Sequence, residues 1–424
     1  MNDLLQPVGY VELIKTNTAF RRLWFGNVVS LFGDWFNTIA LYALILNLTG
    51  SEFALGAVFI TKLLPMGLAS PLAGVLVDRF DRRKVMIISD ILRAVVVLGF
   101  LVVDEPSEVF LIYVLTALQV IIGSVFRPAQ SASVPNITRK IDLVTANTIM
   151  AATWSVMLAA GAALGGFAAE WFGLKTVFVL DSLSYLLSAW FIYRTSIPSP
   201  IKTGPLPSLF KSAHKEVKEG WKYLQSHPAI KRMATVKAVW AVGGGALVYM
   251  LALIGDQLDP AHQAASIGIL FAARGVGTAI GPILAKNRFK DEKQWATVVG
   301  LCVTLTGFGY ALVGLMPWSW LVAIPVMLAH IAGGANWVLS TVLLQKRSDD
   351  RFRGRVFANE WLFVMGMETC SILVASLVLE LELLSLKSTV LGFGMVSMIM
   401  GLIWVFRAVP SEKNDYLSGN VPEA

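Results

Sequence analysis

The sequence predicts an all-α integral membrane protein of twelve transmembrane helices, and three observations carry that reading. Apolar stretches alternate with short polar loops along the whole chain, each about 20 residues long, the length a helix needs to cross roughly 30 Å of hydrocarbon. Hydrophobic residues make up 56% of the 424 and charged residues only 15%, which is too little polar surface to cover a soluble globule of this size. Of the 35 Lys and Arg, 29 fall in every second loop or beside the termini. Cationic loops stay on the cytoplasmic face during insertion, so the number of crossings is even and both termini are expected to be cytoplasmic.

The spans are read at 22–48, 52–77, 85–104, 108–127, 144–169, 174–195, 233–256, 264–285, 295–316, 319–343, 357–379 and 387–407. Span 1 follows Arg21 and Arg22. Arg79, Arg82, Arg83 and Lys84 separate spans 2 and 3, and Arg127, Arg139 and Lys140 separate spans 4 and 5. Spans 8 and 9 are divided by Lys286, Arg288, Lys290 and Lys293, and spans 10 and 11 by Lys346, Arg347, Arg351, Arg353 and Arg355. Arg407 and Lys413 follow span 12. The other loops hold two cations, Lys175 and Lys387, and four more, Lys62, Arg93, Lys237 and Arg274, fall inside spans.

The +7 net charge therefore belongs to loops facing anionic lipid and gives no reason to expect nucleic acid. Cys302 and Cys370 both lie in spans, implying neither a disulfide framework nor a metal site. The first 20 residues lack an apolar core with a small-residue cleavage site, so no removable signal peptide is expected.

Between spans 6 and 7, Pro198, Pro200, Pro205 and Pro207 exclude regular helix before a charged segment. There Phe210, Ala213, Val217, Trp221 and Leu224 recur at helical spacing, with Lys211, Lys215, Lys218 and Lys222 on another face. That pattern suits either a helix lying on the inner leaflet or a solvated tether. The chain accordingly divides into residues 1–195, a six-helix bundle; 196–232, a cytoplasmic linker with an amphipathic helix; and 233–424, a second six-helix bundle with a short tail. Val144-Thr145-Ala146-Asn147 at the start of span 5 echoes Val356-Phe357-Ala358-Asn359 at the start of span 11, as an internal repeat would.

After span 2 the sequence reads Gly74-Val75-Leu76-Val77-Asp78-Arg79-Phe80-Asp81-Arg82-Arg83-Lys84. Gly74 would let its helix approach a neighbour closely, and Asp78 can accept from a helix N-terminus or an Arg. This run resembles the G-x-L-x-D-R-x-G-R-R/K signature of the major facilitator superfamily, departing at Asp81, where the signature has Gly. With Ser89-Asp90-Ile91-Leu92-Arg93, Phe20-Arg21-Arg22-Leu23-Trp24, Gly33-Asp34-Trp35, Phe126-Arg127-Pro128-Ala129-Gln130 and Asp350-Arg351-Phe352-Arg353-Gly354-Arg355-Val356, it is similar to the drug:proton antiporter branch containing enterobactin-type siderophore exporters and macrolide efflux proteins.

The resemblance implies the major facilitator fold, with spans 1, 2, 8, 10 and 11 bordering a central cavity and spans 3, 6, 9 and 12 outside it. It implies that the acid after span 2 engages the start of span 11 and closes the inner side. Carried over here, the gate residues are Gly74, Asp78, Arg79, Arg82, Arg83 and Arg355, with the Asp90/Arg93 pair bracing span 3. Gly161-Ala162-Ala163-Leu164-Gly165-Gly166 is similar to an antiporter element of the superfamily, with Ala162 in place of Pro; its glycines equally serve close packing.

Ionisable groups at mid-depth are costly and usually face a cavity or a partner. Asp34 lies about 12 residues into span 1 and Lys62 about 10 residues into span 2 from the other side, roughly 18 and 15 Å deep, so an Asp34–Lys62 pair is geometrically possible. Asn27, Ser30, Asp34, Asn37 and Thr38 form a polar stripe that should line water. Arg274, His330 and Glu368 come out near mid-depth in spans 8, 10 and 11. A carboxylate that changes its hydration or its cation binds or releases a proton. Asp34, Glu368 and His330 are therefore the proton-coupling candidates, with Lys62 and Arg274 as charge partners; static pairs Asp34–Lys62 and Glu368–Arg274, and a hydrogen-bonded core His330, are the structural alternatives. Lys237 is placed to snorkel toward the inner face, Glu360 suits a helix N-terminus, and Asp181 has no evident reason. Trp35, Trp154, Trp240, Tyr249, Trp337 and Trp361 offer apolar walls for a pocket or for core packing.

The sequence contains no phosphate-binding G-x-x-x-x-G-K-[ST] loop, no H-E-x-x-H and no G-x-S-x-G. Gly275, Gly277 and Gly281 lie in a span, and His214, His227 and His262 lie in loops. The expectation is a transporter and not an enzyme, with no cofactor or metal, monomeric, working with protons, membrane lipid and a small-molecule substrate. Its expected task is export of a medium-sized amphipathic organic molecule (drug, macrolide or siderophore-like) by proton antiport and rocking of the two halves. The alternatives are a lysolipid or lipid transporter of the same fold, or a receptor or scaffold that does not transport.

Overall fold

A computed structural model describes residues 6–198 and 209–418. The side chains at 70, 71, 75, 78 and 209–213 fall outside the description, as do Pro200, Lys202, Pro205 and Pro207, so Asp78, Phe210, Lys211 and Ala213 enter only as sequence. Among the described residues every regular element is a helix. The order is α1 (Tyr10–Thr16), α2 (Thr18–Thr49), α3 (Glu52–Arg79), α4 (Arg82–Leu98), α5 (Val109–Gly123), α6 (Phe126–Ile137), α7 (Leu143–Phe172) and α8 (Leu174–Tyr193). It continues with α9 (Leu209–Ser226), α10 (Pro228–Leu258), α11 (Gln263–Arg288), α12 (Trp295–Leu315), α13 (Ala323–Arg347), α14 (Asp350–Glu380), α15 (Leu386–Ile403) and α16 (Val409–Leu417).

Twelve helical runs among the described residues are long and apolar enough to cross a membrane. Several extend past the apolar stretches. Hydropathy marks the hydrocarbon slab, whereas a helix end is set by where its free N–H and C=O groups find partners. Thus Asn17 caps α2, Ser51 caps α3 and Asp81 caps α4 through their side chains, and Gly50, at φ 59°, closes α2. Span 4 breaks near Ser124 and continues as α6 through Arg127, with Pro128 tolerated in a first turn that needs no amide donor. Likewise Arg351, Arg353 and Arg355, expected in a loop, ride on the first turns of α14.

α2 and α10 are the most enclosed spans, with 67% and 83% of their apolar windows buried, against 22% in the spans built on α3 and on α5 with α6. Ile88, Val95, Leu183, Leu305 and Phe308 remain exposed on outer helices. An apolar surface of that extent faces lipid.

The even number of crossings puts both chain ends and α9 at one end of the helices, the terminal face. Helices before Tyr193 pack largely among themselves, as do those after Pro228, and the main bridges between the two sets are α7 against α11 and α3 against α14. Glycines make these bridges close. A Cβ on Gly166 would lie 2.4 Å from the Ala264 carbonyl oxygen, on Gly268 2.5 Å from that of Ala162, and on Gly56 2.7 Å from Ser376 Cβ. Rings complete the closure: Tyr42 lies 5.7 Å from Phe271 and Phe59 5.7 Å from Tyr249, centroid to centroid. These contacts lie between mid-depth and the face opposite the termini, so the opposite face is shut. Gly74, expected at a close approach, is in open space, since a Cβ there or on Gly354 meets nothing within 4 Å. The physical reason is that the seam between α3 and α14 ends near Gly67 and Met365, and below it the two helices are apart.

Glycine packing gives a direct test. In Gly281→Ala the new Cβ would stand 2.1 Å from the Ile331 carbonyl oxygen, which should destabilise the chain by roughly 1–3 kcal/mol. Gly366→Ala enters open space and should be neutral or stabilising by up to about 1 kcal/mol. Thermal unfolding of the purified chain should show a lower midpoint for the first variant only.

Candidate functional site

Four helices converge on a charged cluster at mid-depth. α2 supplies Asp34, Asn37 and Thr38; α3 supplies Lys62; α4 supplies Asp90 and Arg93; α8 supplies Asp181, Ser184 and Tyr185. Arg93 bonds Asp90 one turn below it, and its Nη1 lies 3.7 Å from Asp34 Oδ1. The Tyr185 hydroxyl donates to Asp34 Oδ1 and accepts from Gln119 at 2.9 Å, while the Arg93 guanidinium lies 4.2 Å from the centre of the Tyr185 ring. Asp90 is fully buried, but the Asp34 side chain keeps 34% of its exposure. Asp34 is thus the accessible carboxylate of this group.

The expected Asp34–Lys62 pair is not formed. Lys62 donates to Thr38 Oγ1 at 2.9 Å, and Thr38 donates to the Asp34 backbone oxygen at 2.7 Å. Equal depth on adjacent helices does not make a contact; Arg93 reaches Asp34 instead, because α8 packs against both α2 and α4 and the guanidinium lies over its Tyr185 ring. Asp181, unexplained by sequence, accepts from Asn37 at 2.8 Å and from Ser184 at 3.3 Å. Gly33 makes that fit possible, because a Cβ there would fall 2.0 Å from Ser184 Oγ and 2.4 Å from Asp181 Oδ1. A signal existed: Asp181, Ser184 and Tyr185 recur at i, i+3, i+4 in an apolar span, as the stripe of span 1 does.

Asn27, Ser30 and Asn37 are buried, so that part of the stripe packs between helices, with Asn37 turned to Asp181. Tyr249, offered by the sequence as a pocket wall, is instead fully buried in the closed face, where it donates to the Glu52 backbone oxygen at 2.6 Å. Trp35 meets Trp154 and Phe271 at 6.4 and 6.3 Å between centroids.

Among the later helices, Lys237 does not snorkel. Its ammonium lies 2.8 Å from Glu360 Oε1, donates to Thr341 at 2.7 Å and sits 4.6 Å over the Trp337 ring, so Glu360 is a buried partner and not a free helix-start acid. Trp337 in turn contacts Trp240 and the half-exposed Trp361 at 6.4 and 5.7 Å. No ion pair joins Arg274 to Glu368; the guanidinium lies 5.8 Å from the Phe271 ring centre with its Nε unpartnered, and the Glu368 backbone packs against Gly245 on α10. His330 is buried in the core, its Nε2 hydrogen-bonded to the Tyr310 hydroxyl at 2.8 Å.

At the terminal face Arg82 donates to the Ala132 carbonyl at 2.6 Å and Arg83 to that of Ile192 at 3.4 Å. Arg355 pairs with Glu219 of α9 at 3.0 Å, where Asp78 was expected; the Asp78 side chain lies outside the described residues. α9 is held there further by Tyr223 stacked on Phe352 at 4.5 Å and by Asn359 donating to the Val217 carbonyl at 3.1 Å.

Breaking the buried Lys237–Glu360 pair from one side should cost about 3–5 kcal/mol, while removing both charges should cost much less. Denaturation of Lys237→Met, Glu360→Met and the double variant checks this: the double variant is expected to be more stable than either single one.

Comparison with known proteins agrees with this architecture. The chain is 28% identical to the Bacillus subtilis protein described as a bacilysin exporter, BacE, over 359 residues, 82% of this chain and 85% of that protein. It is 24% identical to the enterobactin exporter EntS of Escherichia coli O81 (strain ED1a), over 82% of each chain, and 22% identical to macrolide efflux protein A of Streptococcus pyogenes, over 80% and 84%. The crystal structure of a mutant of the peptide transporter POT superposes with a TM-score of 0.75 at 11% identity, covering 96% of this chain and 99% of that one, a likeness of fold. The sequence model of the Major Facilitator Superfamily matches residues 23–359. This chain therefore belongs to the Major Facilitator Superfamily, as a multi-pass membrane transporter and not an enzyme, with exporters among its relatives.

Proposed function

We propose that the chain is a secondary active exporter of a medium-sized amphipathic organic molecule (drug, macrolide or siderophore-like), driven by proton antiport in a bacterial inner membrane with both termini in the cytoplasm. Two six-helix halves, residues 1–195 and 233–424, rock about a site between them, and residues 196–232 link them. The observation that carries this reading is the Asp34 carboxylate: partly exposed at mid-depth, it is tied to Arg93 and Tyr185 on two other helices.

A rocking motion that opens one face and shuts the other changes the hydration of such a group and its distance to its cation, and either change alters its affinity for a proton. Three relatives described as exporters of unlike organic molecules support the direction of transport. The Trp240, Trp337 and Trp361 cluster beside Lys237 and Glu360 supplies apolar wall with few polar anchors, the usual make-up of a small-molecule site.

Efflux from cells, measured with and without a proton gradient, tests the coupling. Asp34→Asn should reduce gradient-driven export of an identified substrate by about tenfold or more, equivalent to ~1.4 kcal/mol of the barrier, and should abolish its pH dependence. Export by Asp34→Asn with the pH dependence of the unaltered chain would remove proton coupling from Asp34.

A further inference from the structure

The last residue of α14, Glu380, reaches across to the first turn of α3. Its Oε2 accepts from the Ser51 hydroxyl at 2.7 Å and from the Phe53 amide at 3.0 Å. A carboxylate there meets amide donors that the helix itself cannot satisfy, and its charge opposes the helix dipole. One turn deeper the Gly56–Ser376 contact continues the same seam, and Tyr249 of α10 holds the neighbouring Glu52 carbonyl. All these bonds join residues before 198 to residues after 228, at the face that is shut. If that face opens, the Glu380 bonds must break.

We propose that Glu380 is a gating residue of the transport cycle, whose carboxylate latches the opposite face shut by capping α3 and lets go when that face opens. This rests on the rocking mechanism proposed above. The arrangement has a counterpart in the sequence: α3 and α14 run antiparallel, and Asp78 occupies the last turn of α3 as Glu380 ends α14. Each helix thus carries an acid in its last turn. Because the Glu380 bonds exist in one state only, their whole strength biases the balance between states.

The test needs no substrate. Spin labels at Ser107→Cys and Ser319→Cys report the opposite face, and at Lys140→Cys and Arg288→Cys the terminal face, in full-length chain lacking Cys302 and Cys370 and held in lipid nanodiscs. Glu380→Gln should raise the ratio of molecules open at the opposite face by about tenfold, as expected for loss of charge-assisted bonds, lengthening the first distance and shortening the second. Ser51→Gly removes the hydroxyl donor while leaving an acceptable helix cap, and should shift both distances the same way by a smaller amount. It also decides the matter if Glu380→Gln does not fold. Unchanged distance distributions in the folded variants would overturn the latch. A failure of the export reading would instead show as absent efflux with the distance shifts intact.

Discussion

The Arg93 guanidinium, held among Asp90, Asp34 and the Tyr185 ring, is the interaction on which the middle of the molecule depends. A charge inside a bilayer is tolerated only with partners, and these come from different helices: α4 provides Arg93 and Asp90, α2 provides Asp34, α8 provides Tyr185, and α5 orients Tyr185 through Gln119. Sharing one cation between two carboxylates, only one of which is exposed, gives the group two unlike members. Asp90 fixes Arg93 as a structural ion pair. Asp34, at the longer distance and with a partly exposed side chain, is the member whose surroundings can change without leaving Arg93 bare.

The later helices meet the same constraint differently. Lys237 and Glu360 form a buried ion pair, with Thr341 accepting from the ammonium and the Trp337 ring lying under it. Arg274 and Glu368, by contrast, are held apart although both are at mid-depth, and Arg274 keeps an unpartnered Nε. Paired charges of the first kind stiffen the helices that carry them. Groups of the second kind gain most from a polar molecule entering between the helices, so the two sets of helices are not electrostatic copies of each other.

Much of this was readable from the chain. Periodic apolar length and the sidedness of Lys and Arg gave the twelve spans, and the presence of charge in an apolar stretch singled out Asp34, Arg93, Lys62 and Arg274. Which charges touch was not readable, because spacing along one helix sets depth but neither the rotation of that helix nor its neighbours. Asp34 and Lys62 share a depth, yet each bonds to something else. Gly33 and Asp181 are intelligible only together, across α2 and α8. Glu380 escaped notice for a different reason: at a helix end an acid looks solvated, and only the start of α3 beside it shows otherwise.

α14 is therefore restrained along its whole length. Its first turns are bound to α9 through Arg355, Phe352 and Asn359, its middle meets α10 at Gly245 and α3 at Gly67, and its last residue caps α3. At 31 residues, or roughly 46 Å, a helix so held moves as a lever and not by local bending, since kinks need a Pro, a bulge or an inserted group and its sequence contains no Pro. Releasing the Glu380 end while α9 grips the other end would tilt α14 about the Gly67–Met365 contact near mid-depth. One rigid helix can in this way convert separation at one face into approach at the other, which is what alternating access demands of the boundary between the two sets of helices.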